Sequence, residues 1–158
     1  MKITFVLTGT LKKSYLRDGF AEYVKRISRY CALEVAEIKD SEYGKKSSHE
    51  AGLRKEAERI EKCLAGKGAM RVALTERKAG KTFTSKAFSE FIDSRLTEGR
   101  DIAFIIGGPY GLDRDLIKGS EMALSLSAMT LPHEMAALVL AEQVYRAFTI
   151  LRGEPYSH

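Results

Sequence analysis

The chain is 158 residues long, 44% hydrophobic and 30% charged, with a formal net charge of +5 and two cysteines. Such a composition is ordinary for a globular domain; it excludes a disordered chain and a disulfide scaffold, and no apolar run approaches the ~18 residues of a membrane-spanning helix. The charge is shared unevenly: residues 1–78 hold 18 Lys and Arg against 11 Asp and Glu, a balance of +7, whereas residues 79–158 hold 8 against 10.

Lys2 to Thr8 reads as a first strand and not as a signal peptide, because the opening apolar run is short and its positive charges, Lys12 and Lys13, follow it. Leu16, Phe20, Tyr23, Val24 and Ile27 then share one helical face, with Arg17, Lys25, Arg26 and Arg29 mostly off it. Ala32 to Ile38 alternates as a second strand, and the polar stretch Lys39 to Lys46 reads as a loop. Ser47-Ser48-His49-Glu50 is a capping-box pattern, opening a helix carried by Leu53, Ala57, Ile60 and Leu64. A third strand is expected from Met70 to Thr75, then a loop from Glu76 to Thr82 and a helix of Phe88, Phe91, Ile92 and Leu96 that Gly99 stops. A strand at Ile102–Ile106, a short helix near Asp115, a strand around Met122 to Ser125 and a long helix from Pro132 to about Arg152 complete the pattern. Strands alternating with helices predict one α/β domain over 1–158, with a mostly parallel sheet and helices on both faces. Cys31 and Cys63 lack metal-ligand spacing, so a reduced, cytoplasmic, zinc-free protein is expected.

Chemistry concentrates between Asp101 and Phe148. The wholly apolar Ile102–Ile106 reads as a strand covered on both faces, and it empties into Gly107-Gly108-Pro109-Tyr110-Gly111. Glycines at the carboxyl end of an interior strand let backbone approach a ligand. A second strand-to-loop transition follows, over Leu124–Leu131, again without a charged side chain. Both loops are expected to follow buried strands, and such uncharged, backbone-rich loops suit a flat heterocycle better than a phosphate. The glycines do not make a dinucleotide fingerprint: the spacing is wrong, and the motif lies far beyond the first strand.

The runs IGGPYGL, ALSLSAMTLPHEMAALVLAEQVYRAF and RGEPYSH, with MKITFVLTGTLKKSY and FAEYVKRISRY at the start, resemble the bacterial large-subunit ribosomal RNA pseudouridine N3-methyltransferases of the SPOUT class. The resemblance spans the chain. It implies a C-terminal deep trefoil knot, S-adenosyl-L-methionine (AdoMet) as cofactor, a homodimer, and the ribosome as partner, with a pseudouridine in helix 69 of 23S rRNA as target. It assigns Leu74, Gly107, Leu126, Ser127, Ala128, Met129, Thr130 and Leu131 to the cofactor, and His133, Glu142, Arg146, Tyr156 and His158 to the substrate side, without singling out which removes the N3 proton. No metal is implied.

Outside the resemblance, Glu142 and Arg146 at i,i+4 are a plain helix ion pair, and residues 156–158 a frayed end. The alternatives are a non-catalytic RNA-binding protein that keeps the fold, or a related methyltransferase with another target base. The run Ala136–Ala141 is more apolar than one helix face needs, which favours a dimer. The basic first half is expected to contact ribosomal phosphates, unless it is only a solvated surface.

Overall fold

The computed structural model describes residues 1–41, 49–76 and 80–156. Five strands and five helices alternate: β1 (Lys2–Thr8), α1 (Ser14–Ile27), β2 (Ala32–Ile38), α2 (His49–Leu64), β3 (Met70–Leu74), α3 (Ser85–Thr97), β4 (Ile102–Ile106), α4 (Arg114–Gly119), β5 (Met122–Leu124) and α5 (His133–Arg152). The sheet order is β2-β1-β4-β3-β5, and every pairing is parallel. The apolar β4 is the central strand, buried at all five positions, because each face carries its own helical layer.

Side-chain alternation divides those layers. Ile3, Phe5 and Leu7 of β1 and Ile102, Phe104 and Ile106 of β4 pack with α1, α3 and α5; Val6, Ala103 and Ile105 point the other way, toward α2 and α4. The first layer is the aromatic one, where Phe5 meets Phe20 edge-on and Phe104 in a stack. Helix α5 lies between α1 and α3. Its breadth of apolar residues is therefore used within the chain: Ala137, Leu140 and Ala141 are buried, and Leu138 closes on Gly19 of α1, where an added Cβ would stand 3.2 Å from it. The Ala136–Ala141 run thus has an intrachain explanation.

Three local readings shift. Pro132 is the N-cap of α5 and not its first helical residue, with an extended ψ of 142°. Helix α2 buries Gly52, Glu56, Ile60 and Leu64, while Leu53 and Ala57 are only half-buried. It is rotated toward Glu56 because that carboxylate accepts from the Ser41 amide at 2.7 Å, and the Ser41 hydroxyl donates to the Gly52 carbonyl at 2.9 Å. Lastly, β5 is a three-residue edge strand of which only Leu124 is buried, so the second loop does not leave a strand covered on both faces. Residues 42–48, which hold Ser47 and Ser48 of the capping-box pattern and most of the predicted loop, lie outside the described residues.

The end of β5 is gripped twice. The Leu124 carbonyl accepts from the Thr75 amide at 2.9 Å; on the other side the Lys81 amide donates to Ala123 at 2.8 Å and the Ser125 amide to Lys81 at 2.9 Å. Thr75 and Lys81 are the two limbs of one short segment. Gly80 permits the second limb to close, since a Cβ there would lie 2.7 Å from the Ser125 nitrogen.

Candidate active site

The carboxyl ends of β3, β4 and β5 bring three of the predicted stretches to one end of the sheet, where α/β proteins bind ligands. After β4 the chain makes a tight turn in which the Gly111 amide donates to the Gly108 carbonyl at 3.0 Å, with Gly111 at φ +80°. Gly107 is buried under this turn. A Cβ on it would run into the Gly111 carbonyl group, 2.5 Å from its carbon. Glycine is thus required first by the loop's own backbone. Beside the turn, the Thr8 hydroxyl is buried without a hydrogen-bond partner, alone in this among the described residues.

The second loop is built around Ser127. Its hydroxyl accepts from the Met129 amide at 2.9 Å, and its carbonyl accepts from the Ser125 hydroxyl at 3.1 Å. Leu126 and Leu74 are half-buried against the core, and Leu131 is half-buried as well. Ala128, Met129 and Thr130 are exposed, and among the described residues the backbone groups of Ala128, Thr130 and Leu131 have no hydrogen bond within the chain. Apolar patches from Leu74, Leu126 and Leu131 beside free amides and carbonyls are a donor set that fits a neutral heterocycle such as adenine, and the residues present therefore fit AdoMet.

A second cluster forms where the end of α5 and the tail fold back onto α1. Glu142 is its hub. One carboxylate oxygen accepts from Arg146 through Nε at 2.9 Å and Nη2 at 2.6 Å and from the Tyr156 hydroxyl at 3.2 Å, while the other accepts from Gln143 at 2.6 Å. The hydrogen bond to Glu142 raises the Arg146 pKa, so this guanidinium is a permanent cation. The Tyr156 ring lies 5.0 Å from Arg146 and edge-on to Tyr145, and its hydroxyl is 3.1 Å from that of Tyr23. Burial, then the bond to Tyr23, pushes the Tyr156 hydroxyl well above the usual phenol range, so it stays protonated. The Tyr30 ring also meets Tyr145 edge-on and stacks on Phe148, while its hydroxyl donates to Glu154 at 2.5 Å. Burial followed by that bond pushes Tyr30 up to about 12.

Glu142, Arg146 and Tyr156 therefore come together as expected. His133 does not join them: it starts α5, roughly 14 Å further back along the axis at 1.5 Å per residue. It is half-buried and, among the described residues, its side chain makes no hydrogen bond. His158 lies outside the described residues. Tyr23, Tyr30, Tyr145 and Gln143 are the members that sequence reasoning missed. Tyr23 counts toward a helical core face by its spacing, and nothing local marks the hydroxyl at its far end as a partner for residue 156.

A family model described as a predicted SPOUT methyltransferase matches residues 1–158. The ribosomal RNA large subunit methyltransferase H of Streptococcus equi subsp. equi is 43% identical over 160 residues, covering 99% of each chain. The protein of that name from Acetivibrio thermocellus is 40% identical, again over 99% of each. Among solved structures, a probable methyltransferase from Bordetella pertussis matches with a TM-score of 0.57 at 14% identity, over 92% of this chain and 93% of that one. A tRNA (m1G37) methyltransferase from Aquifex aeolicus gives 0.53 at 17%, over 92% and 69%. These last two are likenesses of fold.

Proposed function

The chain belongs to the SPOUT methyltransferase family, and on that premise we propose that it methylates N3 of a pseudouridine in helix 69 of 23S rRNA, in the assembled ribosome of the bacterial cytoplasm. The observation that carries the reading is kinship over the whole chain with large-subunit rRNA methyltransferases, in a protein whose two uncharged loops lie at the same end of a parallel sheet.

When bound, AdoMet supplies an electrophilic methyl group. Leu74, Gly107 and the run Leu126, Ser127, Ala128, Met129, Thr130 and Leu131 hold it, the leucines offering apolar surface and the free backbone groups its polar edge. On the substrate side N3 becomes nucleophilic only as its proton leaves, so the chain must hold the base and stabilise growing negative charge. Arg146 supplies the permanent cation, and Glu142 aims it. Tyr156 presents a neutral hydroxyl and a ring face for the base. Glu142 already accepts from three side chains, and Tyr156 keeps its proton, which leaves His133 and His158 to receive the proton from N3.

Two architectural readings belong to the same proposal. A deep trefoil knot of the C-terminal segment is supported by the grip on β5, whose last residues lie between both limbs of one short segment before the chain continues into α5. A homodimer is supported by the separation of His133 from Glu142: one chain holds its cofactor loops and its base-holding cluster apart, and a partner's cluster can meet the loops. The test is methylation of ribosomes from a strain lacking this protein, with the product mapped by mass. Methyl transfer to any other base, or none, overturns the reading.

A further inference from the structure

A groove of about 730 Å³, lined by residues of neither cluster, lies between α1 and the edge strand β2. It exists because α1 leans toward α5 and leaves the near face of β2 partly bare, with Val35 37% exposed. Leu7, Leu11, Phe20 and Val24 make its floor with Val35. Lys12, Arg17 and Lys25 stand around it, against the single carboxylate of Glu37. Among the described residues neither Lys12 nor Lys25 has an ion pair, and Arg17 has only its exposed neighbour Asp18 at 3.4 Å.

We propose that this groove is a second RNA site, which seats one nucleotide of the ribosomal RNA other than the methylated one. Its base lies on the apolar floor and its flanking phosphates meet Lys12, Arg17 and Lys25. The volume suits a ligand of nucleotide size, and the arrangement of an apolar floor beside three cations matches a flat ring joined to an anion. Single-stranded RNA is held in this way, by apolar contact with splayed bases and cations along the backbone. A second copy of the chain is a poor occupant: a two-fold contact sets a patch against itself, and here three cations would face three cations. The inference rests on the reading of the chain as a ribosomal RNA methyltransferase.

The test uses the full chain with ribosomes. A photoreactive benzophenone side chain at position 35 is expected to crosslink 23S rRNA at a nucleotide distinct from the methylated one. Val35→Glu, at an exposed edge position, is expected to weaken ribosome binding about tenfold by setting a carboxylate against phosphates, with AdoMet affinity and Tm unchanged. Crosslinks to a ribosomal protein, to a second copy, or to nothing, while the parent chain methylates the same ribosomes, overturn the groove assignment alone. A parent chain that leaves the ribosomes unmethylated overturns the function and this inference together.

Discussion

A side chain at position 107 has to displace backbone before it meets any ligand. Gly107→Val is therefore expected to cost about 1–3 kcal/mol of stability through overpacking, as well as AdoMet affinity, so loss of binding in that variant does not isolate the cofactor loop. Ser127→Ala isolates it better. It deletes the acceptor for the Met129 amide, a bond worth about 1 kcal/mol, in a loop whose tip, residues 128–130, is exposed. Calorimetry should give a several-fold weaker AdoMet Kd with Tm shifted by no more than a few degrees; an unchanged Kd removes this loop from the cofactor site. The two histidines separate in the same way. His133→Gln and His158→Gln should leave AdoMet affinity intact, and the one that accepts the N3 proton should lower kcat tenfold or more, with loss of the acid limb of the pH–rate profile.

Helix α5, the tail and α1 form one clamp, in which Tyr23 and Tyr30 of α1 and its flank reach across to Tyr156 and Glu154. Its pH dependence follows from the direction of the shifts. A phenol with a folded-state pKa raised from 10 to about 12, as for Tyr30, gives stabilisation that is complete below pH 10 and lost as pH rises through 12. Thermal unfolding followed from pH 9 to 12 should show Tm falling across that window, with the appearance of phenolate absorbance lagging that of a free tyrosine. Tyr30→Phe should remove part of this alkaline fall. A parent and variant with superimposable Tm curves would mean that the Tyr30–Glu154 bond contributes nothing. Tyr23→Phe acts through Tyr156, so it is expected to lower kcat by several-fold while leaving AdoMet affinity alone, and to add little once Tyr156→Phe is present.

At the scale of the whole molecule, the proposed homodimer, in which one chain's cofactor loops meet its partner's Glu142 cluster, makes a direct prediction. Mixing an inactive Ser127→Trp chain with an inactive Arg146→Ala chain should restore partial methylation, because a mixed dimer contains one site with intact loops and an intact partner cluster. No recovery, or a monomer by light scattering with full parent activity, contradicts shared sites. The charge surplus of the first half makes a separate prediction. Arg17, Lys25 and Arg29 are all exposed. Neutralising them together should weaken ribosome binding and reduce the log–log salt slope by roughly one per lost phosphate contact, with AdoMet affinity unchanged. A triple variant that methylates like the parent at every salt concentration makes this face a solvated surface only.

Period and punctuation in the sequence determined the elements. The two-residue alternation of Ala32–Ile38, the apolar stripes at helical spacing, the Gly99 stop and the turn after Ile106 act through neighbouring residues, and the strand and helix bounds follow them within a residue or two. The loops were legible for the same reason: glycines and the absence of charge are local properties. Tertiary structure decided what depends on residues distant in the chain. The strand order β2-β1-β4-β3-β5 makes β4 central and β5 an edge, which run lengths alone do not distinguish. The buried face of α2 is turned by Ser41, and the need for glycine at 107 comes from the backbone of residue 111. Glu142 becomes saturated with donors only when the tail returns across α1, because hydrogen bonds act over about 3 Å and no spacing in the sequence carries that distance.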